Sequence, residues 1–138
     1  MAQQRIVASL EQAYFEVNLS LATNALCVDQ AFFIAQLPCK VVGISYIHAT
    51  KGTHTDPVNL QVTKDTGTNA PGAGTDLLTN NTNAGFDCKG DNNVLQTGTL
   101  VTAEATRTLA AGERLSADFA GTTTALAGVT LSVRLQYV

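Results

Sequence analysis

Val129-Thr130-Leu131-Ser132-Val133-Arg134-Leu135-Gln136-Tyr137 alternates without a slip between apolar and polar side chains. A period of two places successive side chains on opposite faces, so this is an extended strand with one face in a core and the other in water. Upstream, beyond a Gly/Thr-rich turn, the pattern repeats. Leu115, Ala117 and Phe119 point in while Arg114, Ser116 and Asp118 point out. Near the start, Phe15, Val17, Leu19 and Leu21 alternate with Glu16, Asn18 and Ser20, and Val58, Leu60 and Val62 form another inward row. Further extended segments are predicted over Leu26–Ala35, Cys39–Ala49, Phe86–Cys88 and Val94–Thr102, with Pro38 closing the first of these by removing a ladder donor.

Two Gly/Asn-rich loops, Thr66–Thr75 and Asn80–Asn93, punctuate the middle of the chain, and no helical pattern of the length an α/β crossover needs lies between strands. Roughly seven or eight strands at regular spacing imply an all-β fold, an antiparallel two-sheet β-sandwich of jelly-roll type. Residues 13–138 make up that jelly-roll domain. Residues 1–12 read as a short N-terminal arm, helical if the Ile6/Leu10/Tyr14 spacing governs and extended if Arg5-Ile6-Val7 does.

At 138 residues the chain is one domain, long enough to bury roughly 68% of its unfolded surface. A net charge of −3 argues against nucleic acid, whose binders carry a basic patch. Charged residues are 14% of the chain, against about 25% in an average soluble domain. A surface so poor in Lys and Glu is weakly defended against association, which points to cover by another protein. The three cysteines, Cys27, Cys39 and Cys88, lack metal-type spacing and are expected as reduced thiols. The opening residues lack the apolar run of a signal peptide, and no stretch approaches the roughly 20 residues of a membrane span, so no membrane partner is expected.

Two segments break the alternation. Ala31-Phe32-Phe33-Ile34-Ala35 is apolar at every position, and Val41, Val42, Ile44, Tyr46 and Ile47 nearly so. Adjacent residues of a regular strand face opposite ways, so Phe32 and Phe33, or Val41 and Val42, should not both enter the core. The outward members need a second cover, either the N-terminal arm or a like subunit. The expected interface residues are therefore Ile6, Val7 and Leu10 of the arm with Phe33, Val41 and Ile47, in a homodimer or homotrimer.

Chemistry is sparse. His48, His54 and Asp56 fall in a His-x5-His-x-Asp run, but the cupin metal site needs an HxH pair and a nearby Glu, so a polar loop is the expected setting. Asp87, Asp91, Asn92 and Asn93 offer oxygen ligands without a calcium-loop pattern. No Gly-x-Ser-x-Gly elbow or P-loop occurs, and the Asp/Tyr and Arg-Gly segments of deoxyuridine-triphosphate hydrolases are missing. No catalytic, cofactor-binding or metal-binding residue is assigned, and no enzyme is expected.

The segments Leu37–Tyr46, Val58–Gly67, Ala70–Thr75 and Leu109–Phe119 (LAAGERLSADF) together resemble small virion proteins of tailed bacteriophages. These are the cement or decoration proteins of the capsid exterior, several of them jelly rolls, and the resemblance spans about residues 37–138. It implies a non-enzymatic structural protein made in the host bacterial cytoplasm, whose partner is the major capsid protein and which bridges neighbouring capsid subunits. The alternative implied by the same segments is a phage fibre or receptor-binding module that recognises a host surface. Such a module would gather the two long loops at one end of the sandwich.

Overall fold

The computed structural model describes residues 13–138. The N-terminal arm, with Ile6, Val7 and Leu10, lies outside the described residues. Ten strands follow in chain order: β1 (Tyr14–Leu21), β2 (Gln30–Ile34), β3 (Cys39–Thr50), β4 (Asn59–Asp65), β5 (Thr75–Asp76), β6 (Phe86–Asp87), β7 (Gln96–Thr97), β8 (Thr108–Leu109), β9 (Arg114–Ala120) and β10 (Ala127–Tyr137). One sheet has the order β1-β10-β3-β7 with β8 also on β3, and the other has β2-β9-β4-β5 with β6 also on β4. All pairs are antiparallel.

The pairing is nested. The first strand pairs with the last, the second with the second last, the third with β7 and β8, and the fourth with β5 and β6. A single antiparallel ribbon folded over on itself produces this order, and it is the jelly roll. The sandwich has two ends. At the base lie the start of β1, the end of β10, the start of β3 and the turn from β4 to β5; at the crown lie the connections that follow β1, β3, β6 and β9.

The core follows the alternation of β10. Val129, Leu131, Val133 and Leu135 are at most 1% exposed. On the same face stand Leu21, Leu19, Val17 and Phe15 of β1, and His48, Tyr46, Ile44 and Val41 of β3. Leu60, Val62, Leu115 and Ala117 of the opposite sheet close against them, all buried. Fully burying one such aliphatic chain stabilises by about 1.5–3 kcal/mol, so the row of four on β10 and the side chains packed against it dominate the fold.

Both doubly apolar segments turn out to be β-bulges. Between β2 and β9, Ala31 pairs with Ser116 and Phe33 with Leu115, so Phe32 is an extra residue. Between β3 and β10, Gly43 pairs with Arg134 and Val41 with Leu135, so Val42 is extra. A bulge sets two residues against one and re-aims the side chains around it. Phe32 and Phe33 are both half-buried and packed on the core, with the Phe33 ring 5.9 Å from Phe15. Phe33 is thus not the outward member expected from strict alternation. Val41 has 0% exposure and its side chain cannot face a partner. Ile47 keeps its outward place on β3 and is half-buried, and Ile34 of β2, 53% exposed, reaches solvent.

Other boundaries moved for local reasons. The front of the expected Leu26–Ala35 strand is a 3-10 turn at Asn24–Leu26, because the Gln30 amide donates to the Leu26 and Val28 carbonyls and curls the chain. The expected Val94–Thr102 strand shrinks to β7 and an isolated Leu78–Leu100 bridge. A single helical turn, α1 (Glu104–Arg107), has its acid in the first turn and its base in the last, the order the helix dipole favours.

Truncating Leu131 or Leu135 to Ala should lower unfolding free energy by about 2–5 kcal/mol, the range for a buried leucine. Urea denaturation followed by circular dichroism measures it, and a loss below about 1 kcal/mol would show that β10 does not carry the core.

Candidate functional site

The outward side of the second sheet should be wet, yet along β4 and at Ser116 it is dry. Gln61, Thr63 and Asp65 of β4 and Ser116 of β9 point away from the core, and all four are at most 3% exposed. The loop 66–74 folds back over them at the base, and residues 77–85 run beside β4. Asp65 holds the first of these. Its carboxylate accepts from the Gly72 and Gly74 amides at 3.2 and 2.9 Å, from the Thr63 hydroxyl at 2.9 Å and from the Ser116 hydroxyl at 2.5 Å. Arg114 donates to the Gly67 and Asn69 carbonyls of the same loop. Ser116 was expected to face water; it faces outward, but under this loop.

Gln61 holds the second segment. Its amide nitrogen donates to the Leu78 and Asn83 carbonyls at 2.9 and 2.8 Å, and its oxygen accepts from the Val62 and Leu78 amides. Both anchorages need glycine at the point of contact. A Cβ on Gly74 would collide with the Lys64 carbonyl, and one on Gly85, at φ +99°, with the Leu60 carbonyl. Between the two anchors Asn81, Thr82 and Asn83 turn left-handed, with φ of 52°, 56° and 69°. Asn tolerates that region and Thr does not, at a cost of roughly 1–2 kcal/mol. Asn80 braces the turn by donating to the Thr97 carbonyl and accepting from the Thr99 amide.

A second polar group sits inside the crown. The Tyr46 hydroxyl lies 2.8 Å from His48 Nδ1, and His48 Nε2 lies 2.9 Å from the Gly90 carbonyl. A carbonyl can only accept, so in the neutral ring Nε2 carries the hydrogen and Nδ1 takes the tyrosine's. His48 is 1% exposed on β3 rather than in a polar loop. His54 stands apart near Asp56, at 3.9 Å. Asp87 accepts from the Lys89 amide and Asn92 from the Lys51 amide, so these oxygens tie down loops. Among the described residues no group of three His, Cys, Asp or Glu side chains comes together to hold a metal ion.

The three thiols are free and buried. Burial pushes Cys88 up to about 12, with the neighbouring Tyr46 hydroxyl opposing the shift, and raises Cys27 and Cys39 as well. Burial likewise drives the Tyr46 phenol far above its ordinary value. At neutral pH these are protonated groups in a closed core, which is the inert setting for a cysteine. On the outer rim, burial first and then Asp29, Asp76 and Asp65 raise the Asp118 carboxyl.

What remains accessible is apolar and lies at the ends. Among the described residues eight large hydrophobic side chains are between 48% and 63% exposed. Tyr14, Ile34, Leu37 and Val138 are at the base, where the Val138 amide donates to the Pro38 carbonyl. Leu26, Val28, Val94 and Leu95 are at the crown, where the Asn93 amide donates to the His48 carbonyl. The base also holds an open cleft of about 770 Å³, walled by Pro38, Leu109, Ala110 and Val138 and rimmed by Glu104 and Glu113. Lys40 hydrogen-bonds Glu104 at 2.8 Å and holds its carboxyl below the usual range. Of the interface residues expected from sequence, Phe33 and Ile47 are partly accessible and Val41 is not.

Compared with protein-family models, curated proteins and solved structures, the chain matches none.

Asp65→Ala leaves the Gly72 and Gly74 amides without acceptors under the loop, at roughly 1–3 kcal/mol for each orphaned donor. The expected loss is about 2–5 kcal/mol in urea, with faster hydrogen exchange confined at first to residues 66–74; an unchanged midpoint would remove Asp65 from this role.

Because the folded Cys88 thiol titrates above its ordinary 9.0, the folded protein binds more protons than the unfolded one between about 9 and about 12. The stability this group contributes is complete below pH 9 and is lost as pH rises toward 12, by up to about 1.4 kcal/mol per pH unit. Urea midpoints measured across that range should fall less steeply for Cys88→Ala than for the wild type.

Proposed function

We propose that this chain is a non-enzymatic virion protein, a cement or decoration protein that sits on the outside of a tailed-phage capsid and bridges major capsid protein subunits. The observation that carries this is the division of the exposed apolar side chains into two groups at opposite ends of a rigid sandwich. A bridge needs two docking surfaces held at a fixed separation, and a one-sided binder needs one. Exposed apolar clusters are the surfaces that other proteins cover. The low charge, the dry polar anchors and the sealed cysteines are what such a strut requires, and the segments over residues 37–138 that resemble phage cement proteins add to it.

Binding across a joint adds its free energy to the barrier against separating that joint. Even micromolar contacts, about 8 kcal/mol each, accumulate over a shell provided each copy touches two capsomers. The fibre alternative asks for long loops gathered at one end. Loop 66–74 closes the base, whereas the connection after β6 is at the crown, so that arrangement gains no support.

Leu37 and Leu95, 58% and 63% exposed, probe the two ends. Leu37→Asp and Leu95→Asp should each leave stability within about 0.5 kcal/mol while weakening co-sedimentation with expanded capsids about tenfold or more. Hundreds of copies of the wild type per particle are expected by gel densitometry. A few dozen copies would favour the fibre role, and absence from particles, or undiminished binding by both variants, would overturn the bridge.

A further inference from the structure

Four sheet edges are present among the described residues, and three are blunted. On the first sheet the β7 and β8 side offers two strands of two residues each. On the second sheet β5 and β6 are equally short, and β2 has five residues broken by the bulge at Phe32. Short strands and bulges are the devices by which proteins prevent edge-to-edge pairing. β1 has none of them. It runs eight residues in unbroken register with β10, with no proline, no lysine or arginine, and Glu16 as its one charge. The backbone bonds at its two ends, from the Tyr137 amide to the Ala13 carbonyl and from the Gly128 amide to the Ala22 carbonyl, also run to the β10 side.

The flank beside this edge is apolar. Phe15, Val17 and Leu19 are half-buried, while their β10 partners Leu135, Val133 and Leu131 have 0% exposure. The Phe15–Phe33 ring contact continues the flank onto β2, where Ala31–Ile34 line a shallow groove of about 370 Å³. A strand added to β1 would use the outer backbone groups that no strand among the described residues pairs with, and would cover this row.

We propose that β1 is a dimerisation edge, pairing antiparallel with β1 of a second copy of this chain about a twofold axis. The sequence is self-complementary in that arrangement. Keeping inward residues opposite inward residues while pairing the greatest length of β1 centres the axis on Val17 or on Asn18. Val17 then opposes Val17 or Leu19, and Phe15 opposes Leu19 or Leu21. Glu16 opposes Asn18 or Ser20 and never another Glu16. Such an interface is isologous and closes at two copies. It joins the five-stranded sheets of both copies into one and leaves the base and crown free, so it stands whether or not those ends dock on a capsid.

The test uses the full chain. Sedimentation equilibrium should give a dimer. Asn18→Cys, at an exposed position on or next to the axis, should be trapped as a covalent dimer by a short bismaleimide, while Thr122→Cys at the crown is not; the native thiols are buried. Glu16→Lys/Asn18→Lys sets lysine against lysine in either register at two exposed positions. It should keep the wild-type circular dichroism and weaken association at least tenfold. A wild type that stays monomeric, or a dimer that the double variant retains, would overturn the proposal. So would a dimer that Asn18→Cys fails to trap, which also decides the matter should the double variant not fold. Hydrogen exchange separates the remaining case, because β1 amides protected in a monomer at every concentration mean that the edge is covered by its own chain.

Discussion

The outward polar residues of β4 hold this molecule to one shape. The strand is central in its sheet, and its inward side chains, Leu60 and Val62, would pack equally well whatever lay outside. Gln61 and Asp65 determine what does lie outside. Four residues apart on one face, they reach the two long connections that a sandwich would otherwise leave in solvent. A buried carboxylate is costly unless its lone pairs are filled, and here two backbone amides and two hydroxyls fill them. Among the described residues no cation takes part, since Arg114 spends its donors on loop carbonyls. The arrangement is therefore a hydrogen-bonded clamp rather than an ion pair, and hydrogen bonds to a charged acceptor are roughly twice as strong as neutral ones. The glycines follow from it: a strand that pulls a loop into van der Waals contact leaves no room for a Cβ at Gly74 or Gly85.

The two bulges have the opposite effect, deciding where apolar surface is left over. Without them Phe32 and Phe33 would straddle the sheet and present a hydrophobic flank along β2. With an extra residue at Phe32 both rings pack toward the core, and Val42 gives the same slack to β3. The accessible apolar side chains are displaced to the ends and to the margin of β1. The surfaces available for association are thus set by register, not by composition alone.

How much of this was legible in sequence depends on the kind of signal. Period two is a local property, so β10, β9 and β1 could be read directly, as could the antiparallel sandwich they imply. It gives the direction of a side chain but not what covers it. Ser116 points outward as read, and only the path of a loop fifty residues upstream makes it dry. The same limit hid Asp65 and Gln61, which in a sequence are two ordinary polar residues on the wet face of a strand. A usable signal existed at Gly74, a glycine that lies outside the Ala70–Ala73 turn already accounting for Gly72 and that needs no positive φ. His48 falls within the predicted Cys39–Ala49 strand, and continuing its alternation through Ile44 and Tyr46 puts it inward, whereas the His-x5-His-x-Asp run alone suggests a polar loop. The adjacent apolar pairs mark the two bulges, for which strict alternation has no place because it allows no extra residue. Two neighbouring apolar residues in an otherwise regular strand are as much a bulge signature as an interface signature.

In the proposed role these features act together. β3 and β10 are twelve and eleven residues long and pair with each other along most of that length. At about 3.4 Å per residue a strand of this size spans roughly 35–40 Å, and the two run from the base, with Leu37 and Val138, to the crown, with Leu95. Tension applied between the ends loads a ladder of backbone hydrogen bonds along the strands, in shear, so many bonds must fail together. The loops that finish each end would yield first were they free. The base loop is clamped by Asp65 and Arg114. At the crown the chain preceding Val94 is held by the bond from the Asn93 amide to the backbone carbonyl of His48, whose side chain is itself fixed between Tyr46 and Gly90. A buried histidine bonded at both nitrogens and a buried carboxylate bonded at both oxygens sit at opposite ends of one ladder. Each makes the surface beside it part of the rigid body, and a protein whose work is to keep two neighbours at a fixed distance depends on that rigidity.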